Sequence, residues 1–327
     1  MRCRRCSSKA VINMRQHKLA LCKDHFPAWM VEQTQRFIEK YAMFARDERL
    51  LVAVSGGKDS LSLWDILWQL GYQADGLYIG LGIDGGIAYS AQSQRCAEKF
   101  AAGRGLRLHV VDMLESYGET IPHMAERTDR GQARPCAVCG LAKRHVMNRI
   151  ARDGGYHALL TGHNLDDEAA VLFANTLNWI PGYLLRQSPV LEARQGMARK
   201  AKPLFRFYER EMAAYALVRG IEYVYEECPH AEGTKTIYYK DILNQLEEDR
   251  PGAKLNFFLS FLRARESGLF AGTHDGSEAD GQGASGESLH ACPSCGSPTS
   301  ASGECAFCKM VGKKDAGPDL FIESDRA

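Results

Sequence analysis

The chain has 327 residues and a mass of 36.3 kDa, room for about two domains at ~150 residues each and enough to bury a core without disulfide staples. Hydrophobic residues at 45% and charged residues at 25% exclude a wholly disordered chain, and Lys+Arg 41 against Asp+Glu 40 confines any basic surface to local patches. No apolar run approaches the ~18 residues of a membrane span, and the charged start MRCRRC has no signal-peptide core, which predicts a cytoplasmic protein without membrane contact.

The first 25 residues form a small basic module in which Arg2, Arg4, Arg5, Lys9, Arg15, Lys18 and Lys23 are opposed only by Asp24. Apolar spacing predicts a helix over 28–46. Strands at 50–54, 74–80, 106–111 and 157–161 then alternate with helices at 59–70, 90–102, 139–152 and 165–178. Alternation of this kind predicts βαβ units, and so an α/β fold with a mostly parallel sheet and helices on both faces. Further helices are expected at 209–219, 238–248 and 255–265. The glycine-rich stretch from Ser267 to Ala291 carries four acidic residues and no Lys or Arg, the composition of a flexible linker. The resulting division is a small basic module at 1–26, an α/β domain at 27–266, a linker at 267–290, a second small module at 291–312 and a tail at 313–327.

Ser55-Gly-Gly-Lys-Asp-Ser60 stands between a strand and a helix, where open α/β sheets bind ligands. Gly56 and Gly57 let the backbone approach an anion, the following helix aims its N–H groups at it, and Lys58, Ser55 and Ser60 add a charge and two hydroxyls. A Walker A loop is excluded, since it needs Gly at Val52 and Ser or Thr at Asp59. Turn chemistry alone also permits a plain Gly-Gly turn capped by Asp59 or Ser60.

The eleven cysteines point to metal in a reducing compartment, because most fall in Cys-x-x-Cys or Cys-x-x-His pairs. Cys3 and Cys6 with Cys22 and His25, and Cys292 and Cys295 with Cys305 and Cys308, have zinc-ribbon spacing. Modules this short gain their folding energy from the ion, so two Zn2+ are expected. Cys136 and Cys139 lie near the start of a helix and Cys228 far along the chain. By spacing, the pair suits a redox couple, half a zinc site or two cluster ligands, and Cys228 a buried apolar position. Cys96 has no partner and is expected in the core.

The strand followed by Ser-Gly-Gly-Lys-Asp-Ser resembles the PP-loop ATP pyrophosphatases, whose fold is adenine nucleotide alpha hydrolase-like and which cleave ATP between the α and β phosphates. Thr161-Gly-His-Asn-Leu-Asp-Asp-Glu168 is similar to the tRNA-thiolating branch. Taken with the three core cysteines and two zinc modules, the whole chain resembles the TtuA-type tRNA 2-thiouridine synthetases. The resemblance implies that ATP is bound with Mg2+ by Ala53, Ser55, Gly56, Gly57, Lys58, Asp59, Ser60, Ile79, Gly162 and Asp167. Ala53 and Ile79 would line the adenine and ribose pocket, and Asp166 or Asp167 would lie near the phosphates. It also implies that Cys136, Cys139 and Cys228 hold a [4Fe-4S] cluster, with Lys143, Asp167 and Asp59 as catalytic residues.

The reaction so implied adenylates a tRNA uridine and replaces its C2 oxygen with sulfur. The target is 5-methyluridine 54 in the T-loop, with wobble uridine 34 as the alternative. A cysteine persulfide on Cys136 or Cys228 is a competing sulfur route. A ubiquitin-like carrier with a C-terminal thiocarboxylate, or free sulfide, would donate the sulfur to a homodimer. The basic N-terminal module and a second basic stretch, Arg194 to Arg210, would contact tRNA phosphates. Two other readings compete: an amidating PP-loop synthetase, and a non-catalytic zinc-ribbon adaptor that binds RNA.

Overall fold

Leu50, Leu51 and Val52 are fully buried, and the period of a strand sends them to two different layers. Leu50 and Val52 join a core with Trp64, Phe100, Leu172 and Phe258, while Leu51 joins another with Leu77, Val138, Val146 and Leu159. A sheet covered on both faces follows from that alternation. The computed structural model describes residues 1–132, 134–194, 196–231, 234–270 and 289–312.

The chain begins with the antiparallel hairpin β1 (Ile12–Met14) and β2 (Leu19–Leu21) and enters α1 (His25–Lys40). The core continues as β3 (Leu50–Ala53), α2 (Lys58–Gln69), β4 (Ala74–Gly80), α3 (Tyr89–Ala102) and β5 (Leu108–Asp112). Three short helices, α4 (Met113–Tyr117), α5 (Ile121–Arg127) and α6 (Asp129–Gln132), lead to α7 (Pro135–Asp153) and β6 (Ala158–Thr161). Next come α8 (Leu165–Asn178), α9 (Pro181–Leu185), β7 (Val190–Leu191), β8 (Arg199–Ala201), α10 (Glu209–Val218), α11 (Lys235–Asp249) and α12 (Ala253–Glu266). The last module holds β9 (His290–Ala291), β10 (Pro298–Thr299) and α13 (Ala306–Val311).

The central sheet has the order β5-β4-β3-β6-β8-β7, parallel except for β7. The chain leaves β3 toward β4 and β5 on one side and later returns to β6 on the other. The switch point therefore lies between β3 and β6, and the loops after these two strands face one crevice.

Helix α7 starts at Pro135, four residues before its predicted start, because proline suits the first helical position. Both Cys136 and Cys139 thus belong to its first turns. Helix α1 likewise starts at His25 and makes a predicted metal ligand its first residue. Strands β7 and β8 were not expected, being two and three residues long. Cys96 is half-buried against the core, as expected. Of the expected linker and tail, 271–288 and 313–327 lie outside the described residues. Among the described residues, no helix is long and apolar enough to cross a membrane.

Candidate active site and metal centres

The loop after β3 closes on itself before any ligand is considered. Ser60 Oγ accepts from the Ser55 N–H at 3.1 Å and donates to the Gly57 carbonyl at 3.1 Å, and the Ser55 and Ser60 hydroxyls lie 3.2 Å apart. Gly56 has φ +74°, and a Cβ there would stand 2.2 Å from the Ser93 carbonyl oxygen. Gly162, in the loop after β6, rests on the start of α2, where a Cβ would come 2.8 Å from the Ser60 nitrogen. Two loops from distant sequence thus share one packed floor, and the free N–H groups at the start of α2 open beside it. Ala53 and Ile79, both half-buried, end β3 and lie near the end of β4 on the same sheet edge.

Asn164 ties the two loops together. Its Oδ1 accepts from the Asp166 and Asp167 N–H groups at 2.9 and 3.2 Å, capping α8, and its Nδ2 donates to Asp59 Oδ1 at 3.1 Å. The two aspartates expected near phosphates separate here. Asp166 is buried, ion-paired to Lys254, and accepts the Glu209 N–H at 2.8 Å, so it fixes the start of α10. Asp167 completes the capping box with Asn164 and pairs with Lys240 at 2.6 Å.

Glu209 and Lys240 escaped the sequence reading. Lys58 Nζ lies 3.2 Å from Asp59 and 2.9 Å from Glu209, whose other oxygen meets Lys240 at 3.1 Å. The result is one chain of alternating charge, Asp59–Lys58–Glu209–Lys240–Asp167. Burial and the nearby Asp167 raise the Asp59 carboxyl against the pull of Lys58. Burial works on Glu209 too, but Lys240 and Lys58 overcome it and hold that carboxyl at about 2. Only a helix N-terminal glutamate and a mid-helix lysine signal these two residues in sequence.

At the start of α7, Cys136 is exposed and Cys139 half-buried, and Cys136 Sγ reaches the His230 carbonyl at 3.5 Å. Burial pushes the Cys139 thiol up; the charge of Lys143 opposes this, while Cys228 and Cys136 add to it. Cys136, Cys139 and Lys143 thus share the first turns of α7; the His230 carbonyl brings the segment carrying Cys228 to them, and Cys139 and Cys228 pack against the same core. The three sulfurs are not all within 4.8 Å of one another, whereas the ligand atoms of each terminal set are.

Each zinc set brings its four ligand atoms within 4.8 Å of one another. Zn–S bonds of ~2.3 Å place tetrahedral ligand sulfurs about 3.8 Å apart. Cys6 and Cys22 stand at 3.6 Å, Cys295 and Cys305 at 3.8 Å, and His25 offers Nδ1 at 3.3 Å from Cys22. Cys3, Cys292 and Cys308 complete the two donor sets.

The basic residues divide. Arg2, Arg4, Arg5, Lys9, Arg15, Lys18 and Lys23 are all exposed. The second stretch is largely committed inward: Arg199 pairs with Glu48 and Glu192, and Lys202 with the buried Glu168 at 2.8 Å. Arg210 donates to Gln16, and Lys200 is half-buried in β8.

Residues 2–27 match the family model for the 2-thiouridine synthetase TtuA N-terminal LIM domain, and residues 30–232 that for the PP-loop domain. The chain is 46% identical to a tRNA-5-methyluridine(54) 2-sulfurtransferase of Thermus thermophilus, over 95% of this chain and 91% of the relative. It is 41% identical to the enzyme of that name from Pyrococcus horikoshii, over 96% and 94%. Its fold matches the U34-tRNA thiolase NcsA from Methanococcus maripaludis, solved with its [4Fe-4S] cluster, at a TM-score of 0.73 and 21% identity over 95% of each chain. The two family models and the 46% identity over most of both chains show that the chain belongs to the TtuA family of PP-loop tRNA 2-thiouridine synthetases.

Proposed function

We propose that the protein is an ATP-dependent tRNA 2-sulfurtransferase acting on 5-methyluridine 54. The observation that carries this reading is the placement of Cys136, Cys139 and Lys143 on the first turns of α7 in a PP-loop fold, with the segment of Cys228 brought to them by the Cys136–His230 contact. Its likeness to relatives named for that nucleotide favours position 54 over the wobble position.

ATP lies with its phosphates over Ser55, Gly56, Gly57 and Ser60 and its adenosine against Ala53, Ile79 and Gly162. Lys58 neutralises phosphate charge. Asp59 and Asp167 present carboxylates on the same side and would hold Mg2+, a hard cation that counters charge on departing pyrophosphate. The uridine O2 bonds to the α-phosphorus as the bond to the β-phosphate oxygen breaks. A sulfur nucleophile then adds at C2 and AMP leaves with the former O2. Glu209 and Lys240 keep Lys58 and Asp167 apart and aimed, acting as positioning residues. Lys143 stabilises negative charge beside the thiols.

Cys136, Cys139 and Cys228 would hold a [4Fe-4S] cluster, whose fourth iron lacks a protein ligand and can accept sulfide. Two Zn2+ would fold the terminal modules, making 1–26 and 291–312 units distinct from the catalytic domain at 27–266. The exposed cations of the first module would meet tRNA phosphates. A ubiquitin-like carrier or free sulfide supplies sulfur to a cytoplasmic homodimer.

Mass spectrometry of tRNA nucleosides from a deletion strain tests the reading. Loss of a thiolated ribothymidine is expected, and loss of a thiolated wobble uridine would reassign the target. Complementation with Cys228→Ser should leave thiolation at background with zinc content unchanged, and Lys58→Ala should slow it ~10²–10³-fold. Full activity of anaerobic apo-protein with intact cysteines would remove the cluster from the scheme.

A further inference from the structure

A cavity of about 330 Å³ opens where the N-terminal module meets α1 and the segment before α10. Its wall is aromatic. The His17 and Trp29 ring centroids are 5.6 Å apart, and Phe207 meets Trp29 at 5.9 Å and Phe37 at 5.5 Å. Its cations are Arg36, held by Glu32 at 2.7 Å, and Arg206, whose guanidinium lies 4.7 Å over the Phe37 ring. Arg206 is half-buried, and among the described residues no carboxylate pairs with it. A guanidinium cannot shed its charge to relieve burial, so this one favours an anion from outside. Gln33 also lines the cavity, and its amide makes no hydrogen bond among the described residues. Burial, then Arg206 and Arg210, lowers the His17 pKa and keeps that ring neutral near pH 7. It offers a stacking face rather than another charge.

We propose that this cavity receives one unstacked ribonucleotide of the RNA substrate, its base against Trp29 and His17, Gln33 at the base edge, and its phosphate on Arg206 and Arg36. The volume stands near the lower end of the ~300–1,000 Å³ range of small-ligand sites, enough for one nucleotide and too small for a duplex. Splayed RNA bases are held by aromatic faces and arginine planes. The exposed Lys18 and Arg210 continue the positive surface outward, as suits a polymer rather than a free mononucleotide. The cavity wall also continues into the catalytic network. The Phe207 carbonyl accepts the Leu165 N–H at 2.8 Å, and the Glu209 N–H is held by Asp166. A nucleotide seated here would fix the RNA against the site, and the inference rests on the RNA-modifying reading above.

The test uses the full chain with its metals and tRNA extracted from cells lacking the enzyme. Wild-type thiolation of this tRNA, measured alongside, separates a failure of the cavity from a failure of the sulfurtransferase reading. Arg206→Gln should weaken tRNA binding ~10-fold and lower the salt slope by about one, and Arg206→Lys should keep the slope. ATP affinity should be unchanged in both, which controls for folding. Ultraviolet cross-linking should place a nucleotide adduct between His17 and Arg36. Unchanged tRNA affinity and slope in Arg206→Gln, with adducts only elsewhere, would overturn the proposal. So would free UMP or AMP binding here while tRNA affinity ignores the substitution.

Discussion

The two terminal modules present the same four-ligand arithmetic and are seated in different ways. The first adds a polar seat to an apolar one: Met14 and Leu21 are fully buried in the main core, Gln16 donates to Glu211 at 2.6 Å and accepts from Arg210, and the module's remaining cations face outward. The second rests on aromatic packing. Phe307 stacks on His145 of α7 at 3.9 Å and meets Tyr117 edge-on at 5.0 Å, while Arg127 and Arg152 reach its Met310 and Cys295 carbonyls. Two four-ligand sets, one with a histidine and one all cysteine, therefore sit in different surroundings. One module keeps its cations at the surface, and the other packs on the helix whose first turns carry Cys136 and Cys139.

Removing a ligand from each module in turn should expose this difference most strongly. Cys305→Ser should release one zinc and unfold its module, since the ion supplies ~10 kcal/mol to such a fold. Thiolation should then drop to background as α7 loses that packing. Cys22→Ser should release one zinc and weaken tRNA binding while ATP affinity persists. Equal loss of ATP affinity in the two variants, by calorimetry, would erase the distinction. Phe307→Ala sharpens the comparison with the metal retained: a buried phenylalanine truncated to alanine costs ~3–5 kcal/mol, read as a lower denaturation midpoint at full zinc content.

The smallest effect concerns the polar seat. Glu211 is fully buried, and burial raises its carboxyl from the ordinary 4.5 to about 7. Between these values the folded chain keeps a proton that the unfolded chain has released. Wild-type stability should therefore decline as pH rises through that window and level off above it. Glu211→Gln keeps the capping geometry without the titration, so its urea midpoint should lack that decline. Parallel pH profiles for the two proteins would show that Glu211 does not titrate there.

What the sequence disclosed follows from the range of each interaction. Helix α8 runs over Leu165–Asn178 as predicted, because its cap is local: Asn164 meets the first-turn N–H groups within three residues. The gathering of the two four-ligand sets was legible because the spacing is local within each half-site. Glu209 and Lys240 were not, since their partners lie 151 residues away in Lys58 and 73 residues away in Asp167. Nor could adjacency tell Asp166 from Asp167. Neighbouring helical residues diverge by about 100°, and only the positions of Lys254 and Lys240 decide which carboxylate faces inward. Within the stretch from Arg194 to Arg210, composition counts charges without seeing Glu48 and Glu168 opposite Arg199 and Lys202, and so does not set those two apart from Arg206.

The two glycine contacts beneath the phosphate loop carry a consequence for binding energetics. With Gly56 packed on the Ser93 backbone and Gly162 on the Asp59–Ser60 peptide, the two loops have no slack between them, and the anion seat should be rigid before nucleotide arrives. Little conformational entropy remains to be lost on association, so affinity should draw on contacts with the phosphates rather than on ordering of the chain. Selectivity then becomes a matter of shape complementarity against a fixed receptacle.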